Sequence, residues 1–312
     1  MAKITEALEN NELILLDGGI STEIQQRGVS MDNEAWSALA AHTHPDLVRA
    51  VHEDYIRAGA QVITANTYST ARHVLESIGC GDQTRAINTE AVQAATAARD
   101  NTATGPTWIA GSMSSFPPFN SPHDITTGAA ATANYQELAE ILAEAGVDLI
   151  IAEMMRDFEN APMVINAALA VDLPVWIGYS ACCPGESARV QSYPWRRAGG
   201  ETVTHDFEEL VKEIVPLGGD AAGIMHSQIE DTGPALEILA QYWPGPKLAY
   251  AETGSLVPPD WTFEEACSPD DYVAACESWL TDHAIQIVGG CCGTGPEHIR
   301  RLRERLPRQL PL

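Results

Sequence analysis

Two cysteines stand side by side in Ile287-Val288-Gly289-Gly290-Cys291-Cys292-Gly293-Thr294-Gly295-Pro296. An apolar run, Ala284 to Val288, reads as a short buried strand, and Glu297 to Leu306 reads as the opening of a helix. The thiols therefore sit on a glycine-flanked turn between them. Glycine permits close backbone approach, so two soft ligands there can face one metal ion. His226 ends another apolar segment, Asp220 to Met225, and offers an imidazole. Two thiolates and an imidazole suit Zn²⁺ with a fourth position open, the arrangement of catalytic zinc sites. An open zinc site can hold an incoming thiol as a thiolate at neutral pH. The competing reading makes Cys291 and Cys292 small core residues and His226 an ordinary hydrogen-bonded strand end. Cys182 and Cys183, a second adjacent pair, are either alternative ligands or an unrelated loop pair.

The elements that must bring these residues together recur along the chain. Short apolar segments near residues 13–16, 61–65, 107–111, 147–152, 174–178, 220–225, 247–251 and 284–288 read as strands. Helical patterns lie between them, for example Pro45 to Ala58, Thr84 to Arg99 and Asp270 to His283. None of the strands alternates strictly, so both faces are covered and the sheet is parallel. No Gly-x-Gly-x-x-Gly fingerprint follows the first strand, which argues against an open dinucleotide-binding sheet. The expected fold is α/β, a (β/α)8 TIM barrel, with the whole chain 1–312 as a single domain. Active sites of such barrels lie at the carboxyl ends of the strands. Those ends are Asp17, Asn66 with Thr67, Ser112, Glu153, Ser180 to Cys183, His226, Glu252, and Cys291 with Cys292. The segments Phe116 to Thr127, Pro184 to Thr204 and Ser255 to Ala266 read as loops.

The chain has 312 residues, with 18 Lys+Arg against 43 Asp+Glu and a formal charge of −25. Such a surface repels phosphate backbones and anionic lipid, so neither nucleic acid nor membrane is an expected partner. Seven cysteines, an odd number with two adjacent pairs, do not make a disulfide framework. With a polar Met1 to Glu12 that lacks the apolar core of a signal peptide, the expectation is a cytoplasmic protein. The sequence leaves the oligomeric state unknown.

Several motifs recur in an order that resembles the homocysteine S-methyltransferase family. They begin with Leu15-Leu16-Asp17-Gly18-Gly19, Ser21-Thr22-Glu23 and Arg27-Gly28. His52-x-x-Tyr55-x-x-Ala58-Gly59-Ala60, Ile63-Thr64-Ala65-Asn66-Thr67-Tyr68 and Ala110-Gly111-Ser112 follow. Ala145-Gly146-Val147-Asp148-Leu149 with Glu153, and Gly289 to Ile299, complete the series. The resemblance runs from about Leu13 to about Leu306. It implies a barrel whose zinc binds the thiol of homocysteine, or a related thiol or selenol. The bound thiolate would take a methyl group from a sulfonium or betaine donor and yield methionine. It further implies Cys291 and Cys292 as zinc ligands, and Asp17, Gly18, Thr67 and Glu153 as the residues that hold the amino-acid part of the thiol. No catalytic residue is expected beyond the metal site.

Two positions depart from the family pattern. Gly223-Ile224-Met225-His226 stands where the family has a third zinc-binding cysteine, so His226 becomes the expected third ligand. Tyr250-Ala251-Glu252-Thr253-Gly254 replaces Tyr-Pro-Asn-Ser-Gly. Glu252 could offset the lost thiolate charge, ligate the metal, attract a cationic donor, or be a solvated loop carboxylate; it is expected among the substrate-binding residues. The alternative function is a divergent barrel acting on a different sulfonium, betaine or thiol because of His226. Aromatic faces attract onium groups, and Tyr179, Tyr193, Trp195 and Trp261 lie after strands five and seven, at most one of them expected to touch the donor.

Overall fold

The computed structural model describes residues 3–117, 128–185, 189–196, 201–257, 260–263 and 267–310. Most of the expected loop Phe116 to Thr127, parts of Pro184 to Thr204, and residues 258–259 and 264–266 lie outside the described residues. Eight parallel strands form one sheet. They are β1 (Ile14–Leu15), β2 (Val62–Thr64), β3 (Trp108–Ser114), β4 (Leu149–Met155), β5 (Val175–Tyr179), β6 (Ala221–Met225), β7 (Lys247–Tyr250) and β8 (Ile287–Val288). Each pairs with its sequence neighbour, and β8 pairs with β1. A parallel bridge between Leu16 and Val62, with Asp17 N–H donating to Val62 O at 3.0 Å, closes β1 onto β2. The fold is a (β/α)8 barrel.

Successive side chains of a strand face opposite ways, and here both sides are buried. Leu15, Ile63, Ile109, Ile150, Ile177, Ile224, Ala249 and Val288 pack outward against the helices. Ile14, Leu16, Val62, Trp108, Leu149, Ile151, Trp176, Leu248 and Ile287 fill the barrel interior. This double burial explains the continuous apolar runs. It also makes strand register strict, because a slip of one residue would exchange the two sets.

The amino-terminal segment differs from its sequence reading. Ile4–Glu9 is a helix, and Ile4, Ala7 and Leu8 join the interior cluster. Gln286 Nε2 donates to Leu8 O at 2.7 Å and to Glu12 O at 3.2 Å. The helix caps the barrel end opposite the strand tips, and its six residues are too few for periodicity to reveal it. The long polar stretches also hold short antiparallel pairs: Ala181–Cys182 with Gln191–Ser192, Trp195–Arg196 with Thr202–Val203, and Ser255–Val257 with Asp260–Thr262.

Helix Pro45–Ala58 buries Val48, Val51, His52 and Tyr55 on one face. Neither ring nitrogen of His52 has a hydrogen-bond partner, and burial lowers its pKa to about 3. Unfolding restores a value near 6.5, so the unfolded chain binds the extra proton. The contribution of neutral His52 is complete above pH 6.5 and falls as the pH drops towards 3. At pH 5 this linkage costs about 2 kcal/mol relative to neutral pH. Denaturant unfolding of wild type and His52→Leu at pH 7 and pH 5 should show the variant losing about that much less stability between the two.

Candidate metal centre and substrate cavity

The expected ligands converge. After β8, Gly290 N–H donates to Asp17 O (2.9 Å) and Cys291 N–H to Ala251 O (3.0 Å), which stitches the turn to the ends of β1 and β7. Thr294 closes it, its Oγ1 donating to Cys291 O at 2.6 Å. A Cβ on Gly290 would collide with Thr294 Oγ1 and Cβ, which is why this turn needs glycine. His226 follows β6 with φ +42°, a left-handed conformation uncommon outside glycine. That kink carries its Nδ1 to 3.5 Å from Cys291 Sγ and 3.7 Å from Cys292 Sγ, while the sulfurs lie 3.8 Å apart.

These separations match a metal. A tetrahedral ion with bonds of about 2.3 Å to sulfur and about 2.0–2.1 Å to nitrogen holds sulfurs about 3.8 Å apart and sulfur and nitrogen about 3.6 Å apart. The three ligand atoms form a cluster able to hold a metal ion. Burial, and then the charge of Arg156, lower the pKa of His226 to about 3, so its imidazole is neutral and has a lone pair to give. Hydrogen bonding to Cys291 and burial push the Cys292 thiol well up; a bound cation would reverse this and favour thiolate.

Glu252 is 2% exposed. Its Oε1 accepts from Gln228 Nε2 at 2.8 Å. Oε2 is buried without a hydrogen bond, yet lies 3.1 Å from His226 Nδ1. Burial raises the pKa of this carboxyl to about 7. Glu252 is thus no solvated loop residue: its Oε2 approaches the same ring nitrogen that faces the two sulfurs, although Glu252 does not belong to the three-ligand cluster.

A cavity of about 80 Å³ opens beside the cluster. Asp17, Gly18, Glu153, His226, Cys291 and Cys292 line it. Asp17 accepts from Thr64 N–H (2.6 Å) and Thr64 Oγ1 (2.9 Å). Glu153 accepts from Tyr250 Oη at 3.0 Å and from Ser112 Oγ. Burial raises the pKa of Asp17 to about 8, with Glu153 adding to the rise, and burial also raises that of Glu153. Among the described residues no lysine or arginine lines the cavity. Two buried carboxyl groups without a cation form a receptor for positive charge, with a soft metal-binding cluster on the facing wall.

Thr67 is fully buried behind this wall, where its Oγ1 donates to Ser112 O (2.9 Å) and accepts from Ser112 N–H (3.0 Å). Cys182 and Cys183 do not join the metal cluster: Cys182 Sγ contacts Ser192 O at 3.6 Å, and Cys183 hydrogen-bonds to Asp231. Of the loop aromatics, Tyr193 and Trp261 flank the His226 ring at centroid distances of 5.0 and 5.8 Å. Tyr179 instead packs edge-on against Phe207 in the layer between strands and helices, because as the last residue of β5 its side chain faces outward. Sequence reasoning missed Trp36 and Tyr68, which stack at 5.8 Å and line the cavity, and Tyr250, which positions Glu153. Tyr250 had a signal, being two residues before a recognised strand tip; Trp36, on an irregular segment after β1, had none.

A barrel with a His-Cys-Cys cluster and a carboxyl-lined cavity at its carboxyl-end rim defines the class: an enzyme built to present a small molecule to a soft metal site. The profile of homocysteine S-methyltransferases matches residues 14–306, and the chain belongs to that family of methyltransferases. Homocysteine S-methyltransferase 2 of Arabidopsis thaliana is 26% identical, with 94% of this chain and 92% of that one covered. The homocysteine S-methyltransferase of Escherichia coli (strain K12) is 26% identical over 96% of both chains. Selenocysteine Se-methyltransferase of Brassica oleracea is 24% identical over 96% of this chain and 90% of that one. The metallated form of the Escherichia coli homocysteine methyltransferase MmuM superimposes with a TM-score of 0.72 at 24% identity, covering 96% of this chain and 99% of that one, and so shares the fold. Among the described residues no helix is long and apolar enough to cross a membrane.

Proposed function

We propose that this protein is a zinc-dependent S-methyltransferase that moves a methyl group from a sulfonium or betaine donor to the thiol of homocysteine, forming methionine. The observation that carries the reading is the pairing of two features on one cavity. The cluster of His226, Cys291 and Cys292 suits a thiol, and the carboxyl groups of Asp17 and Glu153 suit an ammonium group. An amino thiol spans the two. When bound, zinc lowers the pKa of the substrate thiol and keeps it as a thiolate. Glu153, held by Tyr250 and Ser112, pairs with the ammonium. Asp17 and the backbone at Gly18 hold the rest of the amino-acid part, and Thr67 keeps Ser112 in place. The S–CH₃ bond forms as the donor's onium–CH₃ bond breaks, the electron pair stays on the donor heteroatom, and the thiol proton passes to solvent. Trp36, Tyr68, Tyr193 and Trp261 offer ring faces to the cationic donor.

Replacing the family's cysteine with His226 makes the metal centre one charge more positive. Glu252 stands where it offsets that charge. Chain 1–312 acts as one cytoplasmic barrel domain on small molecules, with no role for nucleic acid or membrane. The test combines metal analysis with a donor screen. About one zinc per chain is expected, with methionine appearing from homocysteine and either S-methylmethionine or glycine betaine. Metal-free protein that turns over equally well would overturn the reading.

A further inference from the structure

Beside the cavity lies a buried cation that the reaction described so far does not use. Arg156 follows β4, just beyond a register shift between Ala152 and Met155 and a left-handed residue, Met154 at φ +59°. The shift turns the chain at the rim, and Arg156 ends 9% exposed. Its Nη1 donates to Pro194 O at 3.3 Å, and among the described residues no carboxylate comes within ion-pair distance. Tyr193, the residue before Pro194, lays its ring on the imidazole of His226 at 5.0 Å. The guanidinium charge is close enough to act on both Tyr193 and His226.

Arg156 also lines a small polar cavity of about 10 Å³, with His73, Ser115, Tyr135, Asn160 and Trp195. A space that size holds about one water molecule or one carboxylate oxygen. His73 is 7% exposed and its Nδ1 has no partner. Asp157, the only acid among the described residues lining it, is engaged: its Oδ1 accepts from the backbone N–H groups of Glu159 (2.9 Å) and Asn160 (2.5 Å) and from Asn160 Nδ2 (3.2 Å). A buried guanidinium with no carboxylate against it among the described residues recognises a carboxylate, often through two parallel hydrogen bonds. The wall towards β1 and β4 is acidic and receives the ammonium of the acceptor. The opposite side, behind Tyr193, is basic.

We propose that Arg156 binds the carboxylate of the methyl donor, so that this enzyme selects sulfonium or ammonium carboxylates over simple onium ions. This rests on the methyltransferase reading above. The experiment measures kcat/KM for S-methylmethionine, glycine betaine and trimethylsulfonium, which has no carboxylate, with saturating homocysteine, in wild type, Arg156→Gln and Arg156→Lys. Wild type should prefer a carboxylate-bearing donor. Arg156→Gln should lower that preference by about 100-fold, as expected for loss of a buried charge pair. Arg156→Lys should restore part of it, and zinc content and the KM for homocysteine should hold in both. If Arg156→Gln lowers kcat/KM for all donors by one factor and leaves their ratio intact, Arg156 is structural and the proposal fails. It also fails if wild type shows no preference. A wild type that transfers methyl from none of the three overturns the methyltransferase reading instead.

Discussion

Cys291→Ala should lose its metal and its methyl transfer together. Structural zinc binds with about 10–16 kcal/mol over four ligands, so one thiolate accounts for about 3–4 kcal/mol, or roughly 10²–10³ in affinity. The loss should be near that upper figure here. Cys291 sits on a turn bonded to the ends of β1 and β7, so the remaining ligands cannot easily close the gap. The open side of the site also leaves fewer protein ligands to share the ion. Dialysis against a chelator followed by metal analysis reads the affinity. Cobalt substitution reads the thiolates directly, since the thiolate-to-metal absorption should fall by about half when one of two sulfurs is removed. Full metal content with undiminished turnover in the variant would show that the sulfur pair is not the metal site.

Glu153→Ala should produce the second largest effect, confined to recognition of the thiol substrate. Glu153 is buried and takes hydrogen bonds from Tyr250 and Ser112. Its burial cost is recovered only when a cation arrives beside it. Truncating one partner of a buried, hydrogen-bonded charge pair costs about 2–5 kcal/mol, a factor of roughly 30 to several thousand in kcat/KM. The control is 4-mercaptobutanoate, the same thiol without the ammonium. Wild type should discriminate strongly against it, and Glu153→Ala should erase most of that discrimination while the zinc content holds. An unaltered preference for the amino thiol would place the ammonium elsewhere, with Asp17 the next group to test.

We read His226 and Glu252 as a paired departure from the family pattern. His226 offers a neutral imidazole where the family pattern expects a thiolate, and the buried Glu252 carboxyl lies 3.1 Å from its Nδ1. Neither change is intelligible alone. The imidazole leaves the centre short of negative charge, and the carboxylate would be costly to bury without a positive centre near it.

By itself the sequence determined the barrel, its eight strands and the chemical character of the rim, although β3 and β4 run two residues past the expected tips Ser112 and Glu153. Those properties are local. A buried strand shows as an apolar run, a tip as the polar residue that ends it, and the turn at Gly289 to Thr294 as glycines around two sulfurs. Only the tertiary structure decided which tips share a cavity and which stand behind it. It set Thr67 one layer back and Glu252 against the imidazole nitrogen, turned Tyr179 away, and brought Trp36, Tyr68 and Tyr250 forward. It also closed the barrel floor with Ile4–Glu9 and seated Arg156 against the Pro194 carbonyl. Strand twist, the bulge in β4 and the left-handed residues Met154 and His226 set these directions. Each depends on contacts between segments distant in the chain, and a side chain's direction at a rim is settled by those contacts, not by its neighbours in sequence.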